Sequence, residues 1–112
     1  DLNALWWRFV EEFQNVTPPE GRNKPDWAAK LHLALAPVYY HNYLMGEMLA
    51  SQLLAFMRET LLPPDASPLD FVTASSVGDY LQKSVFAPGA RHSWDKLIAA
   101  ATGEPLSASF FV

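Results

Sequence analysis

The chain has 112 residues, half of them hydrophobic, and a formal net charge of −4, which is the length of one small domain. Four tryptophans and the apolar content exclude a disordered chain, and the acidic balance without a basic stripe argues against nucleic acid as a partner. The absence of cysteine excludes disulfides and thiolate metal ligands. Polar side chains, among them Gln52, interrupt the apolar segment Leu31–Leu62, so we predict no membrane span.

The first half of the chain predicts a helix, a short turn and a long helix. Apolar residues recur every three or four positions from Leu2 to Val16, which indicates an amphipathic helix that the following prolines end. Asp26 can cap a short helical turn over Trp27–His32. Pro37 suits the first turn of a helix that runs to about Thr60. This helix is apolar on almost every side, which is typical of a helix buried in a larger helical body.

The second half predicts further helices with recognisable ends. Ser67 offers a capping hydroxyl, a proline follows it, and Asp70 brings an acid into the first turn. A helical stripe continues through Val77–Val85. Ser93 is then expected to cap a helix over Trp94–Ala101, and Gly103 to end it. The predicted fold is therefore all-α, with four or five helices, and residues 1–112 are expected to be one helical segment cut from a longer domain at both ends.

Lysine, histidine and tyrosine side chains stand in an otherwise apolar stretch, at Lys30, His32, Tyr40 and Tyr43. Such polar groups are costly in apolar surroundings unless they are hydrogen-bonded or in use. They are also the groups that hold a carboxylate and stabilise an oxyanion. Lys30 and His32 would diverge by about 200° on a helix, so a shared cleft requires an irregular backbone there. Tyr40 and Tyr43 would share one helix face. A solvated lysine, a core histidine and packed tyrosines remain the structural alternatives.

Three blocks of residues, in order along the chain, carry a family resemblance. They are Leu5-Trp6-Trp7 through Phe13-Gln14 with Pro18-Pro19, then Ala29-Lys30-Leu31-His32 with Pro37 and the tyrosines, then Val77-Gly78-Asp79-Tyr80 through Phe86-Ala87-Pro88-Gly89, Trp94 and Thr102-Gly103-Glu104-Pro105 to Ser107-Ala108-Ser109. In this order and spacing they resemble the C-terminal part of the M2 peptidase family, the zinc dipeptidyl carboxypeptidases of the angiotensin-converting-enzyme type. The resemblance implies a helical cleft metallopeptidase that releases dipeptides from peptide C termini.

The resemblance also implies roles for the four polar residues. Lys30 and Tyr40 would bind the terminal carboxylate of the peptide substrate, and His32 and Tyr43 would act in catalysis, His32 by donating to the scissile carbonyl oxygen and Tyr43 by stabilising the oxyanion. An alignment without a one-residue gap would place Tyr39 at the position of Tyr40 and leave no phenol for the oxyanion. His41 and Asn42 stand where the converting enzymes place a chloride-binding arginine, which leaves chloride dependence open.

The resemblance places the metal ligands outside this chain. The three histidines, at positions 32, 41 and 92, have no zinc-site spacing. Zinc is therefore expected in the parent enzyme and no cofactor in the segment, which we expect to be catalytically inactive alone. The family is often exported, and the sequence leaves the compartment open.

The rival interpretation is a stand-alone helical interaction or oligomerisation domain without catalysis.

The long apolar helix is too large for 112 residues to cover, and exposed apolar patches of more than a few hundred Å² are seldom left bare. We therefore expect the chain to self-associate as a two-fold dimer, as a consequence of truncation and not as a biological assembly. Candidate contacts are Leu44, Met48 and the Leu53–Met57 segment.

Overall fold

Residues 1–111 are described by the computed structural model, and every regular element in that range is helical. The range holds six α-helices: α1 (Leu2–Gln14), α2 (Leu31–Ala34), α3 (His41–Leu61), α4 (Pro68–Thr73), α5 (Ser75–Tyr80) and α6 (Trp94–Thr102). Short 3-10 turns cover Asp26–Ala29, Gly89–Arg91 and Ala108–Phe110, and a π-helix covers Leu81–Phe86. The all-α prediction is confirmed, with six α-helices where four or five were expected. Two compact units divide the chain, residues 1–42 and the residues from Tyr43 onward.

The first unit is built on α1, which starts at Leu2 as predicted but ends at Gln14, before the prolines that were expected to end it. The Asp1 carboxylate caps the helix by accepting the backbone N–H of Asn3 at 2.9 Å. Asn15 ends it in the left-handed conformation, with φ of 55°, and donates its N–H to the Glu11 carbonyl at 3.1 Å. Val10 is the buried residue of the helix, and the 3-10 turn Asp26–Ala29 packs against α1. The helix thus provides the surface on which the following turn is fixed.

Helix α3 begins at His41, so the prediction that it starts at Pro37 is wrong. Val38 has φ of +60°, a left-handed conformation that is unfavourable for a β-branched residue and that interrupts a right-handed helix. Tyr40 consequently precedes the helix, and the predicted helical face shared by Tyr40 and Tyr43 does not exist.

The second unit shows the predicted caps with one exception. Ser67 and Asp70 form a capping box, in which the serine hydroxyl accepts the Asp70 N–H and the carboxylate accepts the Ser67 N–H. Gly103 ends α6 with φ of 83°. Ser93 stands at the N-cap position of α6, but its side chain makes no bond to the helix backbone, so its predicted capping role is wrong.

The core of the second unit lies between α3, α5 and α6. Its buried apolar residues are Met57, Val77, Ile98 and Ala101. The predicted stripe through Val77–Val85 is helical throughout, first as α5 and then as the π-helix, which packs against α6. Because Met57 is buried there, it is not available for the predicted contact between two copies of the chain.

Gln52 is the most deeply buried side chain of the second unit, with 1% of its surface exposed. Its amide nitrogen donates to the Thr102 hydroxyl at 2.8 Å and to the carbonyls of Glu104 and Pro105 at 3.3 and 3.2 Å. Its amide oxygen accepts the backbone N–H of Ser107 at 2.9 Å. One side chain of α3 therefore holds the segment that follows α6.

Candidate functional site

Lys30 lies between two short helical pieces, and its backbone is extended, with φ of −87° and ψ of 104°. The predicted turn Trp27–His32 is therefore split into the 3-10 turn Asp26–Ala29 and helix α2. The Lys30 N–H donates to the Trp27 carbonyl at 3.3 Å, and the Lys30 carbonyl accepts the N–H groups of Leu33 and Ala34. A cleft shared by Lys30 and His32 requires an irregular backbone between them, and the extended conformation of Lys30 is such an irregularity. The Lys30 side chain is exposed and forms no ion pair within residues 1–111.

The structure brings His32 together with two tyrosines. The imidazole lies 5.5 Å from the Tyr40 ring and 5.9 Å from the Tyr39 ring, measured between centroids, with interplanar angles of 24° and 18°. His32 is half-buried, whereas about half of each tyrosine surface is exposed. The left-handed residue Val38 lies between α2 and the two tyrosines, so the contacts form across an irregular segment of backbone. The geometry thus supports a cluster of His32 with Tyr40 and Tyr39, and it does not choose between the two tyrosines.

Tyr43 belongs to the second unit, in the first turn of α3, and its side chain is exposed. Glu47 follows one turn later on the same helix and is also exposed. Tyr43 therefore lies on the exposed surface of the second unit.

A hydrogen-bonded network holds the turn that precedes Lys30, and the sequence analysis did not identify it. The Trp27 indole N–H donates to the Asn3 side-chain oxygen at 3.0 Å, and the Asn3 amide donates to the Asn23 side chain at 2.9 Å. The Arg22 guanidinium makes two bonds to the Asp26 carboxylate. The hydrogen bond from Arg22 is the main cause that lowers the pKa of Asp26. Opposite charges four residues apart, at Arg22 and Asp26, were the available sequence signal.

The residues that the structure describes do not form a zinc site. Across residues 1–111 no three His, Cys, Asp or Glu side chains are grouped so that they could hold a metal ion. His41 and His92 are exposed and lie apart in sequence from His32. None of the helices in this range is both long and apolar enough to cross a membrane.

The comparisons with known proteins identify a family. Residues 34–112 match the family model described as carboxypeptidase Taq (M32) metallopeptidase. The match includes Tyr40 and Tyr43 and begins after Lys30 and His32. Searches of curated proteins and of solved structures returned no match. M32 metallopeptidases are zinc-dependent in general, and the match supports the predicted metallopeptidase. The matching family is M32, however, and not the M2 family that the residue blocks resemble. Because the match covers more than half of the chain, the chain belongs to the carboxypeptidase Taq (M32) metallopeptidase family.

Proposed function

We propose that this chain forms the substrate-facing part of a metallopeptidase site that recognises the free C terminus of a peptide. The observation that carries the proposal is the packing of His32 against Tyr40 at 5.5 Å, two residues after the exposed cation Lys30. Membership of a carboxypeptidase family supports it independently. A cation, an imidazole and a phenol close together in the chain are suited to binding a carboxylate and a polarised carbonyl.

Each of the four residues has a distinct role in this proposal. Lys30 pairs with the terminal carboxylate, and Tyr40 donates a second hydrogen bond to it. His32 donates to the scissile carbonyl oxygen, and Tyr43 stabilises the negative charge that develops on that oxygen. The zinc ligands of the enzyme come from a segment other than residues 1–111, so the chain alone is inactive.

The position of the cleaved bond distinguishes two versions of this function. The description of the matched family favours a carboxypeptidase that releases one residue at a time. The Lys30-Leu31-His32 block with its tyrosines favours the dipeptide release of the M2 resemblance. Mass analysis of the products from an N-terminally blocked pentapeptide separates them, since the first product has lost either one residue or two.

The carboxylate role of Lys30 can be tested in the full-length peptidase that carries this chain. Lys30→Ala should raise KM for peptides with a free C-terminal carboxylate and leave amidated peptides almost unchanged, because an amide offers no charge to pair. Lys24→Ala is the matched control, since Lys24 is an exposed lysine of the same unit. Equal losses on free and amidated peptides would contradict the assignment.

The catalytic roles predict a different kinetic pattern. His32→Ala and Tyr43→Phe should lower kcat by about 100- to 1,000-fold with little change in KM, since both groups act on charge that develops in the transition state. His92→Ala, at an exposed histidine, is the control. A change confined to KM would place these residues in substrate binding or packing. Comparison of Tyr39→Phe with Tyr40→Phe on free and amidated peptides shows which tyrosine meets the carboxylate.

A further inference from the structure

We infer that Asn3, through its hydrogen bond to Trp27, positions Lys30 for recognition of the peptide carboxylate. The inference rests on the proposed function and adds to it a residue of α1 that the four-residue site does not include. Asn3 uses both ends of its side chain, as an acceptor for the Trp27 indole at 3.0 Å and as a donor to Asn23 at 2.9 Å. Asn3 therefore holds both the loop at Asn23 and the 3-10 turn Asp26–Ala29 against the first turn of α1.

Successive backbone hydrogen bonds connect Trp27 to Lys30 and Lys30 to the start of α2. The Trp27 carbonyl accepts the Lys30 N–H at 3.3 Å, which closes the 3-10 turn. The Lys30 carbonyl accepts the N–H groups of Leu33 and Ala34 at 2.9 and 3.0 Å, which starts the helix that carries His32. A displacement of Trp27 is thus passed to Lys30 and to the start of α2.

The exposed Lys30 side chain makes this control of the backbone important. A lysine has a flexible four-carbon stem, and ordering it on binding costs side-chain entropy. A backbone that is already fixed restricts the volume that the ammonium can reach and so reduces this cost. Loss of the Asn3 bond should therefore weaken carboxylate binding without any change in the groups that touch the substrate.

The Arg22–Asp26 pair is a weaker candidate for the same role. It holds the first residue of the same turn, but 43% of the Arg22 side chain and 22% of the Asp26 side chain are exposed. Ion pairs at such exposure contribute little, because water and salt screen them. We therefore assign the positioning role to the half-buried hydrogen bond between Trp27 and Asn3.

The test compares Asn3→Leu with Asn3→Asp in the full-length peptidase. Asn3→Leu removes the acceptor for the Trp27 indole, whereas Asn3→Asp keeps it and loses only the donor to Asn23. The readout is the ratio of kcat/KM for free over amidated peptides. One hydrogen bond corresponds to about a 2- to 10-fold change, so Asn3→Leu should lower this ratio by that factor, through KM, and Asn3→Asp should restore it.

A second measurement keeps the outcome independent of overall stability. In the Lys30→Ala background, Asn3→Leu should cause no further fall in the ratio, since the cation that it positions is gone. Equal loss on both substrates, or an additive loss in the double variant, would overturn the positioning role. If Lys30→Ala itself leaves the ratio unchanged, the proposed function fails; if Lys30→Ala lowers the ratio and Asn3→Leu does not, only the present inference fails.

Discussion

Replacement of Gln52 by leucine should destabilise the protein more than any surface change of the same size. The Gln52 side chain is 1% exposed and joins α3 to the segment after α6 through both ends of its amide. Leucine has a similar volume, so the substitution removes hydrogen bonds without opening a large cavity. Apart from the Thr102 hydroxyl, the partners that it leaves behind are backbone groups, and they cannot rotate away to find new partners.

The structure allows an estimate of the loss. The Glu104 carbonyl keeps a bond from the Thr102 hydroxyl, at 3.1 Å, and that hydroxyl also lies 2.9 Å from the Ile98 carbonyl. The Ser107 N–H and the Pro105 carbonyl lose the only partners found for them among the described residues. Pro105 is exposed, so water can reach its carbonyl, whereas Ser107 is half-buried. One orphaned buried group costs about 1–3 kcal/mol, so loss of the partner of the Ser107 N–H should lower the free energy of unfolding by that amount. This is a substantial part of the roughly 5–15 kcal/mol that stabilises a typical domain.

Urea unfolding followed by circular dichroism measures this difference directly. Gln52→Leu should lower the midpoint without changing the slope, because the surface exposed on unfolding stays the same. Gln82→Leu is the matched control, since Gln82 is exposed, and it should change the midpoint little. A fall of less than about 1 kcal/mol for Gln52→Leu would refute the reasoning, because water would then be satisfying the Ser107 N–H.

Three further predictions concern other parts of the chain. Val38→Gly should raise the free energy of unfolding by about 1 kcal/mol in urea titration, because release of left-handed strain exceeds the entropy cost of glycine; a loss of stability would show that Val38 is unstrained. Hydrogen bonds from Ser67 lower the pKa of Asp70, so its contribution is present above the unfolded pKa and is lost as the pH falls through the lowered folded value. Asp70→Asn should therefore lower the thermal midpoint at about pH 7 and not at about pH 2, whereas an equal fall at both would exclude the charge as the cause. The isolated chain should dimerise in light scattering, and Leu44→Glu at an exposed position of α3 should weaken the dimer; a monodisperse monomer at high concentration would favour the stand-alone-domain interpretation.

The family assignment shows which conclusions drawn from the residue blocks were correct and which were not. Lys30-Leu31-His32 and the tyrosines pointed to metallopeptidase chemistry, which the match over residues 34–112 supports. The same blocks pointed to M2, whereas the matching family is M32. The residue blocks therefore predicted the metallopeptidase class correctly and the particular family wrongly.

The sequence by itself determined the elements whose ends depend on nearby residues. The start of α1, the cap at Ser67 with Asp70 in the first turn, and the stop at Gly103 all agree with the structure. Each of them is made by bonds between residues at most four positions apart, or by the backbone freedom of one glycine. Local spacing and residue type are sufficient for such features.

Only the tertiary structure decided what the isolated polar residues do. In the sequence Gln52 is one polar interruption of an apolar segment, and its role depends on groups 50 to 55 positions later. The bond between Asn3 and Trp27 likewise joins residues 24 positions apart. The left-handed conformation of Val38, which interrupts the helix predicted from Pro37, occurs without a glycine that would have indicated it in the sequence. A buried polar side chain is stable only where the fold supplies its partners, and residue spacing carries no information about groups that folding alone brings together.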